Sequence, residues 1–223
     1  MEKKVFVITG ANRGIGLELT RQALNQGHQV YAGARKASLE LRDLADRSSG
    51  ALRIVDLDVS TDASVKKFAD AIDSDHVDVL INNAGYYADQ DTAQTVLDSL
   101  NTNAVGPVRV TFALMAKLKK SKSPRIGNIT SQMGSIADNS SGGSLAYRMS
   151  KTALNMFTKT LSLDEPNVIV LSLHPGWVQT SMGGARAPLA PQASAEGLLT
   201  VIQKSSAGDS GKFLTYNGKD LPW

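Results

Sequence analysis

The chain has 223 residues, no cysteine and a formal net charge of +3, set by 24 Lys and Arg against 21 Asp and Glu. The length favours one large α/β domain over two small ones, and the missing cysteine excludes disulfides, thiolate metal sites and thiol nucleophiles. The small charge is too weak to predict nucleic acid as a partner, and His28, His76 and His174 match no metal-ligand spacing, so no metal site is expected.

The N-terminal segment predicts neither export nor a membrane anchor. Its apolar run, Val5–Ile8, is too short for the core of a signal peptide. No stretch of the sequence approaches the roughly 20 apolar residues of a membrane helix. We therefore expect no membrane partner and a cytoplasmic location.

Short apolar runs alternate with longer amphipathic segments along the chain. The runs predict strands, covered on both faces, at Val5–Thr9, Gln29–Ala34, Ala51–Leu57, Val77–Asn82, Ile126–Ser131, Val168–His174 and Lys212–Leu214. The amphipathic segments predict helices at Gly14–Gln26, Ser38–Arg47, Asp62–Ile72, Thr92–Lys120, Leu145–Leu163 and Ala193–Lys204. Regular alternation implies right-handed βαβ units. The predicted fold class is therefore α/β, a single-domain Rossmann-type doubly wound parallel sheet of about seven strands with helices on both faces.

A glycine-rich turn joins the first predicted strand to the first helix and reads Gly10-Ala11-Asn12-Arg13-Gly14-Ile15-Gly16. Such a turn needs backbone angles that glycine adopts cheaply, and a pyrophosphate must approach the main chain without meeting a Cβ. The free N–H groups and the dipole of the helix would then hold the anion. A plain strand-to-helix loop is the alternative interpretation, which the position after the first strand disfavours.

Two arginines indicate which dinucleotide is bound. Proteins that use NAD usually place an acidic residue at the end of the second strand, where it bonds the ribose hydroxyls. Here that strand is followed by Arg35, and Arg13 projects from the glycine turn. Guanidinium groups suit a 2′-phosphate through paired, charge-assisted bonds, so NADP(H) is predicted over NAD, although either arginine alone is equally consistent with an ordinary surface charge.

Tyr147 is the only one of the five tyrosines with a lysine four residues later, at Lys151. This spacing places both side chains on one face of a predicted helix. A nearby ammonium favours the phenolate, so we expect the pKa of Tyr147 to lie below its ordinary value, closer to the range of a general acid or base. The pair alone is a weak signal, because such spacing also arises by chance.

Further motifs stand in a fixed order around this pair. They are TGANRGIG at Thr9–Gly16, Asp58-Val59 after the third strand, NNAG at Asn82–Gly85, Asn103 in NAVG, Ser131 in ITSQMG, YRMSK at Tyr147–Lys151, and PGWVQT at Pro175–Thr180. With these motifs the chain resembles the short, single-domain branch of the short-chain dehydrogenase/reductase family over essentially its whole length. The resemblance implies one NADP(H)-binding domain over residues 1–223.

The resemblance also implies a role for each motif residue. Tyr147 would exchange a proton with the substrate oxygen, and Lys151 would hold the nicotinamide ribose. Ser131 would hydrogen-bond the substrate carbonyl, and Asn103 would hold a water in a proton relay. The residues implied to bind the cofactor are Gly10, Asn12, Arg13, Gly14, Ile15, Gly16, Arg35, Asp58, Val59, Asn83, Ala84, Gly85, Tyr147, Lys151, Pro175, Gly176, Val178 and Thr180.

Some assignments stay open at this stage. Ser135 competes with Ser131 for the serine role, because the Ser131–Tyr147 separation exceeds the common family spacing; Ser131 is favoured because its strand-end motif matches. Trp177 is as consistent with a substrate pocket as with a plain aromatic, and Trp223 is unassigned.

The polar loop and the chain end look more specifically like the carbonyl-reductase subgroup with sniffer-like and C-factor-like proteins. This likeness suggests small aldehydes, ketones or quinones as substrates. An NADP(H)-binding regulatory or signalling protein of the C-factor type is the alternative. A nucleotide-sugar dehydratase is disfavoured, because the chain lacks an extra substrate domain. The family habit of pairing through long helices suggests a homodimer or homotetramer.

Overall fold

The computed structural model describes residues 2–223, which form one seven-stranded, fully parallel sheet. The strands are β1 (Val5–Thr9), β2 (Gln29–Ala34), β3 (Leu52–Asp56), β4 (Val79–Asn82), β5 (Arg125–Ile129), β6 (Ile169–His174) and β7 (Phe213–Thr215). Their order across the sheet is β3-β2-β1-β4-β5-β6-β7. The predicted doubly wound parallel sheet is confirmed.

Seven α-helices cover the sheet. They are α1 (Gly14–Asn25), α2 (Leu39–Arg47), α3 (Asp62–Asp70), α4 (Ala93–Leu100), α5 (Gly106–Leu118), α6 (Leu145–Asp164) and α7 (Pro191–Lys204). None of the helices formed by residues 2–223 is long and apolar enough to cross a membrane.

The two faces of the sheet carry separate cores, because successive side chains of a strand point to opposite faces. On β1, Phe6 and Ile8 pack into a core with residues of α1, α2 and α7. Val5 and Val7 pack into the other core with residues of α3, α5 and α6. Every residue of β1 is buried, which explains why the strand is an unbroken apolar run rather than an alternating one.

The helix predicted over residues 92–120 is interrupted. Between α4 and α5 the backbone forms a single π-helical turn at Asn101–Val105. Apolar periodicity does not distinguish a single wide turn from the α-helix around it, so the sequence predicts one continuous helix. Isolated π turns frequently mark functional sites, and this one contains Asn103.

The strand order reverses between β1 and β4, which lie side by side although two strands and three helices separate them along the chain. Connections leave the carboxyl ends of these strands in opposite directions and open a crevice at this edge of the sheet. The glycine turn follows β1, and Asn83 follows β4. The fold therefore brings two of the predicted motifs together at the crevice.

Candidate active site

Hydrogen bonds join the glycine turn to the segment after β4. The Thr9 hydroxyl accepts from the backbone N–H groups of Asn83 and Ala84, both at 3.0 Å. The Asn83 amide returns two bonds, to the carbonyls of Thr9 at 3.0 Å and of Gly10 at 3.1 Å. One buried hydroxyl and one amide side chain thus fix the two walls of the crevice against each other.

Close packing explains two of the glycines in the turn. A Cβ on Gly16 would lie 2.2 Å from the carbonyl oxygen of Gly10, and a Cβ on Gly10 would lie 2.8 Å from the Cα of Ala84. Gly10 also has a φ of +64°, which other residues adopt only with strain. The turn is therefore closed to side chains at both positions.

The amino end of α1 suits an anion. No side chain caps it, and its first turn carries no acidic residue, so its free N–H groups point into the crevice mouth beside Gly14. Thr180 faces the same turn, because a Cβ on Gly14 would lie 3.0 Å from its methyl group. The predicted phosphate site and one end of the PGWVQT motif therefore adjoin.

Arg13 and Arg35 are both exposed at the carboxyl edge of the sheet, after β1 and β2. Within residues 2–223 neither guanidinium pairs with a carboxylate within 4.0 Å. A backbone bond of 3.2 Å from Ala11 to Gly33 ties the glycine turn to the end of β2. Two unpaired cations thus flank the place where a 2′-phosphate is predicted.

Asp58 and Val59 follow β3 at the next position along this edge. The pKa of Asp58 is held below its ordinary value, first by the Ser60 hydroxyl and N–H and then by the charge of Arg35. The Val59 side chain is buried and packs where a Cβ on Gly106 would meet it at 2.9 Å. The Val59 side chain thus packs against the start of α5, and the adenine contacts of Asp58 and Val59 stay predictions.

Tyr147, Lys151 and Ser131 meet where β5 and α6 adjoin. Lys151 Nζ lies 5.5 Å from the centre of the Tyr147 ring, so the predicted common helix face is confirmed. The Ser131 hydroxyl is near enough to the Tyr147 phenol to act on its pKa. The Lys151 ammonium donates to the carbonyl of Ile129 at 2.9 Å. A phenol, a hydroxyl and an ammonium are therefore close neighbours at this place.

The expectation that Lys151 lowers the pKa of Tyr147 was wrong. Burial raises the pKa of Tyr147 to about 12, and this shift is opposed by the neighbouring Ser131 hydroxyl and reinforced by Tyr87. Burial also lowers the pKa of Lys151 to about 8. Desolvation disfavours the charged form of each group, and this effect outweighs their attraction because Lys151 bonds a carbonyl rather than the phenol. The sequence spacing carries no information about burial.

Asn103 is completely buried in the π turn and joins three segments. Its Oδ1 accepts from the N–H of Tyr86 at 2.7 Å, and its Nδ2 donates to the carbonyl of Tyr86 at 2.7 Å and to Ser150 Oγ at 2.9 Å. Gly85 lies between Asn103 and Lys151, since a Cβ there would be 3.7 Å from Asn103 Oδ1 and 3.8 Å from Lys151 Nζ. The water-holding role of Asn103 stays a prediction.

The two candidate serines have different surroundings. Ser131 ends the segment after β5, and its hydroxyl accepts from the N–H of Met133 at 3.2 Å while it faces Tyr147. The Ser135 hydroxyl is buried, donates to the carbonyl of Trp223 at 3.1 Å and accepts from Asp138 at 3.0 Å. Ser135 is therefore engaged with the end of the chain, and the geometry supports Ser131.

The segment Pro175–Thr180 continues from β6 along the crevice. Gly176 has a φ of +83°, and a Cβ there would lie 2.7 Å from Leu189. The carbonyl of Pro175 accepts from the Ser194 hydroxyl at 2.7 Å, and Val178 is buried. These contacts fix the main chain near the place predicted for the nicotinamide end.

Sequence reasoning did not single out the two tyrosines that follow the NNAG motif, one of which packs against Tyr147. The Tyr87 ring lies 5.0 Å from the ring of Tyr147, and Tyr86 is also exposed. Trp177 is 57% exposed, with its indole N–H bonded to the carbonyl of Gly183 at 2.7 Å. The signal for the tyrosines was their position directly after the NNAG motif at the end of β4.

Comparison with known proteins identifies the family. The profile of the short chain dehydrogenases matches residues 4–188. The C-signal protein of Myxococcus xanthus is 41% identical over 172 residues, which cover 71% of this chain and 100% of that protein. The carbonyl reductase Sniffer of D. melanogaster matches with a TM-score of 0.93 at 33% identity, and an NADPH-bound carbonyl reductase from chicken fatty liver with 0.92 at 33% identity. Each structural match covers 100% of both chains.

The matches confirm the predicted family and its sniffer-like and C-factor-like relatives. They also agree with the observed seven-stranded parallel sheet. The chain therefore belongs to the short-chain dehydrogenase/reductase family of oxidoreductases.

Proposed function

We propose that this protein is an NADPH-dependent carbonyl reductase that converts a small aldehyde, ketone or quinone to the alcohol, with Tyr147 as the proton donor. One observation carries the proposal: the Ser131 hydroxyl neighbours the Tyr147 phenol, and the Lys151 ammonium lies 5.5 Å from the centre of the same ring. Two neutral O–H donors so placed suit a carbonyl oxygen that gains negative charge. Carbonyl reductases among the solved structures share the fold at 33% identity.

The residues around the crevice fit NADPH. The uncapped amino end of α1 and the turn at Gly10 and Gly16 would hold the pyrophosphate without meeting a Cβ. Arg13 and Arg35 would bind the 2′-phosphate, and Lys151 would bond the ribose. When bound, the cofactor supplies the hydride that reduces the carbonyl carbon. NADP and NADPH are the dinucleotides named for structural relatives at 33% identity.

The remaining predicted contacts complete the cofactor site. Asn12, Gly14 and Ile15 would contribute backbone N–H groups with the rest of the turn, and Asp58 and the main chain of Val59 would contact the adenine. Other residues would line the cleft and the nicotinamide end, namely Asn83, Ala84, Gly85, Pro175, Gly176, Val178 and Thr180. The whole chain would act as one NADP(H)-binding domain, and a cytoplasmic location stays a prediction.

The raised pKa of Tyr147 keeps the phenol in the form that carbonyl reduction requires. With a pKa of about 12 the phenol stays protonated near neutral pH, which is the form a general acid requires. Ser131 would hold the carbonyl oxygen against the phenol, and the proton of Tyr147 would pass to that oxygen as the alkoxide forms. Lys151 would then stabilise the phenolate left behind, and Asn103 would hold the water that returns the proton.

An apolar face on α5 and α6 supports a homodimer as the assembly. Phe112 on α5 is 61% exposed although its ring meets Phe157 of α6 edge-on at 6.1 Å. Met156 and Leu163 on α6 are 67% and 69% exposed. Large apolar side chains along two adjacent helices are typical of a surface covered by a second copy of the chain.

A direct assay tests the reductase proposal. Purified protein is incubated with NADPH and a broad panel of aldehydes, ketones and quinones, and both the loss of NADPH and the alcohol product are measured. We expect turnover of at least one small carbonyl compound and weaker activity with NADH. No turnover across the panel would overturn the proposal.

A second candidate is an NADP(H)-binding signalling protein, favoured by the 41% identity to the protein named C-signal. The cluster of Tyr147, Ser131 and Lys151 argues against it, because a sensor has no use for a proton donor. A Lys151→Ala variant with unimpaired biological effect would support signalling, and loss of that effect together with turnover would support the reductase.

A further inference from the structure

The loop between β4 and α4 contacts both the π turn that contains Asn103 and the helix α6 that carries Tyr147. We call its residues 86–91 the active-site strap. At its start, the backbone N–H and carbonyl of Tyr86 both bond the Asn103 side chain at 2.7 Å. In its middle, the ring of Tyr87 lies 5.0 Å from that of Tyr147. The strap thus touches the π turn on one side and the catalytic helix on the other.

At the end of the strap, Asp91 caps α6. Its Oδ2 accepts from the N–H of Leu145 and its Oδ1 from the N–H of Ala146, each at 2.9 Å. These are two of the N–H groups that have no partner inside a helix. A helix cap normally comes from the residue directly before the helix, but Asp91 lies 54 and 55 residues away along the chain.

The local sequence explains why α6 needs a distant cap. Ser144 precedes the helix with a φ of +51° and makes no capping bond of its own. Gly142 and Gly143 before it also have positive φ, at +64° and +71°. Three successive left-handed residues make a strained entry, since the serine among them carries a Cβ. The Ser144 hydroxyl instead forms a hydrogen bond of 2.6 Å with the phenol oxygen of Tyr87. The strap therefore contacts the start of α6 through both Tyr87 and Asp91.

We propose that Asp91 is a positioning residue, which fixes the first turn of α6 and thereby the orientation of the Tyr147 phenol toward Ser131. Tyr147 is the third residue of α6 and directly follows the two amides that Asp91 holds. Without the carboxylate, the first turn of the helix opens and the phenol leaves its place. This inference rests on the proposed reductase function, because the position of Tyr147 matters only if the phenol donates a proton.

Three variants test the proposal by kinetics: Asp91→Ala, Asp91→Asn and the control Asp89→Ala. Asp89 lies exposed in the same strap and makes no side-chain hydrogen bond among residues 2–223. Since displacements near 1 Å cost up to about 100-fold in rate, Asp91→Ala should lower kcat by about 10- to 100-fold with KM changed less than about twofold. Asp91→Asn keeps one acceptor oxygen and should recover part of kcat. Asp89→Ala should match the wild type.

Amide hydrogen exchange tests the contact between Asp91 and the first turn of α6 and does not require turnover. In Asp91→Ala, residues 145–151 should exchange faster than in the wild type and in Asp89→Ala, while the strands stay protected. Unchanged exchange at residues 145–151, or faster exchange with kcat unchanged, would overturn the positioning role. If Asp91→Ala does not fold, Asp91→Asn takes its place in both measurements. A wild type that turns over no carbonyl would overturn the reductase function alone, and the exchange rates would still decide whether Asp91 holds the helix.

Discussion

Lys151→Met should remove the cost of burying a charge in the folded state at neutral pH while it abolishes turnover. The Lys151 side chain is 4% exposed, and burial lowers its pKa from 10.5 to about 8. Below that value the folded protein carries a buried charge that the unfolded chain exposes to water. Methionine has a similar length and no charge, so the variant removes this cost.

The size of this effect on stability follows from the difference between the pKa of Lys151 in the unfolded chain and its pKa in the folded protein. Between pH 8 and pH 10.5 the unfolded chain binds a proton on Lys151 that the folded chain does not, so the stability of the wild type rises with pH in that window. At about pH 7 the shift of the pKa corresponds to about 3 kcal/mol against folding. At about pH 10 less than about 1 kcal/mol of that cost remains.

Urea unfolding of wild type and Lys151→Met at both pH values, at one protein concentration, measures the effect. The variant also loses the bond from Lys151 to the Ile129 carbonyl, and leaving a buried acceptor unpaired costs about 1–3 kcal/mol. That loss is nearly the same at both pH values, so it cancels when the relative stability of the variant at one pH is subtracted from that at the other. The stability of the variant relative to the wild type should therefore fall by about 2 to 3 kcal/mol from about pH 7 to about pH 10. A relative stability constant to within about 0.5 kcal/mol would refute the buried, shifted ammonium.

Three other variants have clear expected outcomes. Arg35→Glu should raise the Kd of NADPH by at least about tenfold and leave that of NADH nearly unchanged, measured by fluorescence titration, because one charge-assisted bond is lost and a repulsion gained; equal losses for both cofactors would contradict this. Gly16→Ala should destabilise the fold by about 3 kcal/mol or more in a thermal melt, since its Cβ would lie 2.2 Å from a backbone carbonyl, whereas Gly208→Ala, with its nearest neighbour at 3.7 Å, should not. Phe112→Glu should shift a dimer to monomer in light scattering, whereas Leu39→Glu, at a side chain that is 76% exposed on α2, should leave the dimer intact; a monomeric wild type would remove the proposed interface.

The sheet was predictable because parallel strands buried on both faces read as unbroken apolar runs. The glycine turn was predictable because Gly10 and Gly16 lie where the structure leaves no room for a Cβ. The pairing of Tyr147 with Lys151 follows from helix geometry alone. Each of these features depends on residues that are close together in the sequence.

Features that depend on tertiary contacts were not predictable. The cap of α6 comes from Asp91, 54 residues before the helix, where no local pattern marks it. The pKa of Tyr147 depends on burial, which reverses the shift inferred from the lysine spacing. The choice between Ser131 and Ser135 stayed open in the sequence until the contact of Ser135 with Trp223 was known.

The fate of a labelled hydride in wild type and Tyr147→Phe tests the proposed chemistry most directly. With NADPH that carries deuterium at both C4 positions of the nicotinamide, the wild type should place deuterium on the carbinol carbon of the alcohol product. Tyr147→Phe should bind NADPH within a few-fold of the wild type and lose at least about 100-fold in kcat, because the ring remains and only the proton donor is gone. Turnover by Tyr147→Phe at the wild-type rate, or an alcohol without deuterium at that carbon, would contradict a Tyr147-assisted carbonyl reduction.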